Sequence, residues 1–178
     1  MELRSVEELM DLLHTGRGVH DTGAPHPHGA HGGGARRIGT RGIDVRGVDV
    51  HDHALQTAAL LRRARPADKE LQVAGLVHPV GLLLAPSDRA GRAGRAADAV
   101  RALLGERVAG LVRRHPWNGP ADDDLAVLRQ ADEDGRVAGF DAGVLEDWRT
   151  VLELVAARAS RLRAVDWREA ASRRPPHD

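Results

Sequence analysis

Three histidines and one aspartate stand out in this 178-residue chain by their helical, largely apolar context: His53, His78, His115 and Asp132. Neutral imidazole and carboxylate are the ligands that iron, manganese and zinc accept. The four residues lie too far apart along the chain for one local chelate. They can meet only if several helices converge, as in bundle metal sites built from facing side chains. Taken singly, each histidine reads as a capped or surface residue. Together, their placement points to a metal: His53 begins a helix, His78 closes an apolar run, His115 ends a helix, and Asp132 sits on an otherwise apolar helix face. Two other clusters read more simply. His26, His28 and His31 lie in a Gly-rich stretch that would first have to lose its chain entropy. Asp122-Asp123-Asp124 follows Pro120 and reads as an N-cap with acids favoured by the helix dipole.

The elements that must position these residues are helical. Ser5-Val6-Glu7-Glu8 is a capping-box signal, followed by Leu9, Leu12 and Leu13, with Gly16 and Gly18 ending the helix. Residues 17–47 hold nine of the 20 glycines and read as a flexible Gly/His-rich insertion. Asp52 is placed to cap a helix carrying Leu55, Ala58, Ala59 and Leu61. Pro66 suits the first position of the next helix, through Leu71 to Val77. Pro79 lacks an N–H and predicts a break there, and Pro86 closes the apolar stretch. Further helices are predicted over 90–104, 106–115, 122–133 and 142–164, with Gly105, Pro116 to Pro120 and Gly135 to Gly139 between them. The chain therefore divides into an N-terminal helix (1–16), the insertion (17–47), a helical domain (48–165) and a tail (166–178).

Composition supports an all-α fold and narrows the function. Ala, Leu and Val supply most of the 42% hydrophobic content, with one Phe, no Tyr and three Trp. Small aliphatics of high helix propensity favour closely packed helices over strands. Twenty-six basic and 26 acidic residues cancel, so no global field draws in nucleic acid or anionic membrane. The shortage of aromatics also argues against single-strand binding. The absence of cysteine excludes disulfides and thiolate metal sites. No signal-peptide core or long apolar run is visible, so the expected location is the cytoplasm. There is neither a phosphate-cradling Gly-rich loop ending in Lys-Ser or Lys-Thr nor a Gly-x-Ser-x-Gly elbow.

The stretches His53-Ala-Leu-Gln-Thr-Ala-Ala-Leu, Glu70 to Gly81, Val100 to His115 and Leu128 to Arg136 resemble, in order and spacing, the HD-domain superfamily. The likeness is nearest to its phosphonate-degrading diiron oxygenases, relatives of inositol oxygenase. It implies a single HD-type helical bundle. The family's metal pattern is a His, a His-Asp pair, two further His and a late Asp. His53, His78, His115 and Asp132 match four of these six positions, whereas Pro79 stands for the pair's Asp and Arg92 for the third His. In the diiron relatives those two residues serve the second metal, so the resemblance implies a mononuclear site on His53, His78 and Asp132. That is the two-His, one-carboxylate set of non-haem Fe(II) oxygenases, with Mn or Zn as alternatives and no metal at all as the limiting case. Arg92 reads first as a solvated helix-face arginine, and alternatively as a fixed cation near the lost second metal. Gly119 replaces the lysine that holds an anionic group in these relatives, and their gating tyrosine has no counterpart, so phosphonate activity is not carried over.

Two functions follow. One is a metal-dependent enzyme, an oxygenase or a phosphohydrolase, acting on a small, anionic molecule. The other is a non-catalytic HD relic kept as a binding or interaction module. A plain helical bundle with coincidental histidines is the third reading.

Overall fold

In the computed structural model, the described residues are 1–21, 47–117, 122–137 and 140–172. Helices dominate: α1 (Val6–His14), α2 (Val50–Ala64), α3 (Lys69–Val77), α4 (Val80–Leu84), α5 (Arg92–Arg113), α6 (Asp123–Val137) and α7 (Arg149–Ser172), with a 3-10 turn at Leu145–Trp148. Two short strands, β1 (His20–Asp21) and β2 (Val48–Asp49), pair antiparallel, with His20 opposite Asp49 and Asp21 opposite Val48. The fold is all-α and forms one domain. Gly119 and most of the Gly/His-rich insertion, including His26, His28 and His31, lie outside the described residues.

Helix α3 is the axle. Every residue from Leu71 to Val77 is buried, as expected of a helix apolar on all sides, and it packs against α2, α5, α6 and α7. The core around it is mostly aliphatic, with Leu61, Leu76, Ala96, Ala97, Val100, Leu104, Leu128 and Leu152 at zero exposure. Trp117 and Trp148 are its largest buried side chains. Each fully buried Leu or Val contributes roughly 1.5–3 kcal/mol, so the bundle needs no other cement at its centre.

Local signals place the ends. Ser5 caps α1 by accepting from the Glu8 N–H, while the Glu8 carboxylate accepts from Arg4 N–H rather than from Ser5. Asp49, not Asp52, caps α2: one carboxylate oxygen accepts from Asp52 N–H and the other from Gly18 N–H. Its reach across the β-pair explains the shift, because one side chain then fixes both the helix start and the strand stem. Pro66 lies in a turn, and Asp68 caps α3 through Leu71 N–H. Pro79 separates α3 from α4 as expected. Helix α5 breaks at Gly105, whose φ of 88° and ψ of 173° suit glycine alone. Two boundaries run further than the sequence suggested. Gly135 stays inside α6, and α7 continues to Ser172, past the boundary drawn at 165.

One arginine ties three elements. Arg107 on α5 donates to Asp68 (2.6 and 2.7 Å) and Glu70 (3.1 Å) at the start of α3, and to Asp124 (2.8 Å) at the start of α6. Asp122 precedes α6 and accepts from Asp124 N–H, so the acidic triplet is a cap as read.

Candidate metal centre

His53 lies in the first turns of α2, where Asp49 sets the helix start. His78 is the C-cap of α3, held at that point because Pro79 ends the helix. Asp132 lies within α6. All three are buried, each at 6% exposure. Their ligand atoms lie within 4.8 Å of one another. His53 Nε2 is 2.8 Å and His78 Nε2 3.3 Å from the same Asp132 oxygen, Oδ1. The two rings meet edge-on, 5.2 Å apart at 89°, with both Nε2 atoms facing that one oxygen.

Close helix packing makes this possible. Gly135, one turn beyond Asp132, faces α2, and a Cβ there would stand 2.7 Å from Thr57 Oγ1 and 3.4 Å from His53 Nδ1. Only a residue without a side chain lets α6 bring Asp132 this near. The sequence reading placed Gly135 in a loop because glycine is a helix-ending signal; packing on α2 overrides that preference.

The electrostatics are those of a buried carboxylate among imidazoles. Burial alone would raise the Asp132 carboxyl, but the hydrogen bond from His53, the adjacent His78 ring and the charge of Arg136 outweigh it and hold the group below the usual carboxylate range. Burial pushes the His53 imidazole down, partly opposed by its bond to Asp132. His115 is pushed down to about 3 by burial, reinforced by His78, and therefore stays neutral at pH 7.

His115 is brought next to the trio without joining it. Its ring stacks on His78 at 5.1 Å, and its buried Nε2 has no hydrogen-bond partner among the described residues. Trp117 closes this side, its ring 4.7 Å from that of His115. Its left-handed φ of 59° is held by Nε1–H donating to Leu111 carbonyl.

A cavity of about 60 Å3 opens over the cluster, lined by His53, His78 and His115 together with Pro79, Arg92, Arg136 and Asp21. Pro79 adds an apolar ring to the lining. Arg92 corrects the expectation of a solvated helix-face side chain. It is 20% exposed and lines the cavity, its Nε donating to Ala85 carbonyl (3.4 Å) and Nη2 to Pro86 carbonyl. The turn after α4 folds back over it, because α4 and α5 touch where Gly81 meets the Arg92 backbone.

Two lining residues had no assigned role in the sequence reading. Arg136 donates to both Asp132 oxygens, at 3.3 and 3.4 Å, and its i, i+4 spacing from Asp132 was the available signal. Asp21 had none, since the β-pair that delivers it is only two residues long. A second potential metal group, Asp49, His51 and Asp52, is accounted for by the double cap that occupies Asp49.

Set against models of protein families, curated proteins and solved structures, the chain matches none of them. Among the described residues, no helix is long and apolar enough to cross a membrane. The buried cluster of His53, His78 and Asp132 could hold a metal ion.

Proposed function

We propose that the chain is an HD-type metalloenzyme with one divalent metal per chain, held by His53, His78 and Asp132. The observation that carries this reading is the hydrogen bonding of His78. Its Nδ1 donates to Gly75 carbonyl at 2.6 Å, so that in the neutral form of the ring Nε2 presents a lone pair 3.3 Å from a carboxylate oxygen. Two acceptors facing each other in a buried site repel. A cation between them turns that repulsion into coordination, with the Gly75 carbonyl orienting the ring as outer partners of metal-bound histidines do.

His53 supports the same reading. With Nε2 turned to a metal, its proton must sit on Nδ1. That atom and Thr57 Oγ1, one helical turn along, are both buried with no hydrogen-bond partner among the described residues. Arg136 engages Asp132 from outside the cluster, fixing the carboxylate without joining the ligands.

The metal, when bound, supplies a Lewis acid with open positions; iron would add oxygen chemistry, with manganese and zinc as alternatives. The chain's own residues do the rest. Asp132 and the two imidazoles fix the ion to one side of the cavity. Val48, Val50 and Leu82 keep the other walls apolar, and the neutral His115 offers a nitrogen to a bound molecule. Pro79 removes the carboxylate most central to HD phosphohydrolysis, so an oxygenase is the better-supported class.

The second reading is the non-catalytic relic. Its specific support is that His53 and Arg136 already satisfy Asp132 without any ion.

Metal content of untagged protein, purified with and without Fe(II), Mn(II) or Zn(II), separates the two. The expected value is near one per chain, falling close to zero in His53→Ala and Asp132→Ala that remain helical by circular dichroism. No bound metal in the wild type establishes the relic; two per chain means a ligand has been misplaced.

A further inference from the structure

The same cavity holds a cation with a donor left over. Arg92 spends Nε and Nη2 on the backbone carbonyls of Ala85 and Pro86, which lock its guanidinium plane in place. Nη1 makes no hydrogen bond among the described residues. The nearest carboxylate oxygen to it, Asp21 Oδ1, stands 4.0 Å away, too far for a hydrogen bond. The Arg92 side chain is four-fifths covered, and a partly buried guanidinium with a donor to spare is costly unless something accepts from it.

Charge and size define that partner. Around the cavity, the guanidiniums of Arg92 and Arg136 are cancelled by the carboxylates of Asp21 and Asp132. A divalent ion on the histidine-aspartate cluster would leave two positive charges in excess, between apolar walls that strengthen any field. The volume of about 60 Å3 is small and suits a compact charged headgroup. His115 lines the same wall, and its buried Nε2 has no hydrogen-bond partner among the described residues.

We propose that Arg92 anchors an oxyanion subsite: a small carboxylate, phosphate or sulfate group enters the cavity, binds the exposed side of the Arg92 fork and displaces Asp21, its internal competitor. The inference deepens the metalloenzyme reading by naming the substrate class. It rests on that reading for the metal's share of the binding, though not for the share of Arg92. The guanidinium takes the place of a missing metal ligand and does part of that metal's work, neutralising the substrate's charge.

The test is calorimetric titration with sulfate, and separately with acetate, at fixed ionic strength, using metal-free and Mn(II)-equilibrated full-length protein. Metal content is measured in the same samples. The expected result is one oxyanion per chain, weakened about tenfold or more in Arg92→Met and tightened severalfold in Asp21→Asn. A gain in Asp21→Asn cannot come from misfolding. Tighter sulfate than acetate assigns a tetrahedral headgroup, and the reverse a carboxylate. Unchanged affinity in Arg92→Met, or no gain in Asp21→Asn, overturns the subsite even if metal is bound at one per chain. Arg92-dependent binding in protein that takes up no metal leaves the subsite standing and removes the metalloenzyme reading alone.

Discussion

His53 and His115 are buried where protonation is resisted, and this fixes how the metal-free protein responds to acid. Both imidazoles lie below their ordinary value of 6.5, His115 at about 3. Between pH 6.5 and about 3, the unfolded chain binds a proton on His115 that the folded chain refuses, and His53 acts in the same direction. Stability therefore falls as pH drops, by up to about 1.4 kcal/mol per pH unit for His115. Asp132 works in the other direction. Its lowered carboxyl contributes stability that is complete above the ordinary value of 3.8 and is lost only below it. From pH 6.5 down to about 4 the slope thus belongs to the histidines. Urea unfolding of chelator-treated protein at pH 7 and pH 5 should show it, and His115→Gln should flatten it; equal slopes in the two proteins would falsify the assignment to His115. The residue types of this site were legible in the sequence because a His or Asp on an apolar face is rare without a reason. Residue types alone did not say which of the four converge; the resemblance pointed to His53, His78 and Asp132, and the fold brings these three together with His115 stacked on His78 beside them.

Helix contacts in this bundle depend on side chains that are absent. At Gly81 a Cβ would stand 2.0 Å from the Arg92 carbonyl oxygen, a backbone atom that cannot swing aside. Gly81→Ala should therefore push α4 from α5 and cost at least the ~1–3 kcal/mol typical of overpacking, read from the denaturant midpoint. It should also loosen Arg92, whose anchoring carbonyls follow α4. Gly105→Ala would meet a φ of 88°, a conformation costing about 1–3 kcal/mol outside glycine, with the same readout. Element type and most breaks could be read from sequence. Pro79 and Gly105 act within one or two residues of where they stand, so local rules locate them. Asp52 and Gly135 misled for a shared reason: each obeys a local preference that a partner distant in sequence overrules. Asp49 wins the α2 cap because it also holds Gly18, and Gly135 stays helical because α2 leaves no room for a side chain.

Across the whole molecule, Arg107 joins the starts of α3 and α6 to α5, the two helices that carry His78 and Asp132. Its side chain is 39% exposed, so solvent screening discounts the three ion pairs. Arg107→Ala should still cost about 1–2 kcal/mol, seen as a lower Tm. If the metal centre is real, saturating metal should recover part of the loss, because an ion on α2, α3 and α6 binds only the folded state; about 2.7 kcal/mol is available at a hundredfold excess over Kd. A Tm of Arg107→Ala that ignores added metal would speak against any ion at that junction.

The β1–β2 pair has a consequence for how this chain can be cut. Asp21 and Val48 are cross-strand neighbours, so the chain leaves and rejoins the bundle at the same place. Topologically the 26 intervening residues are a detour with no net displacement. Replacing them with Asn-Gly, the preferred two-residue hairpin link, should yield a shorter protein whose helices need not move. The detour thus becomes a removable module: whatever it contributes can be subtracted, leaving the frame that holds His53, His78 and Asp132.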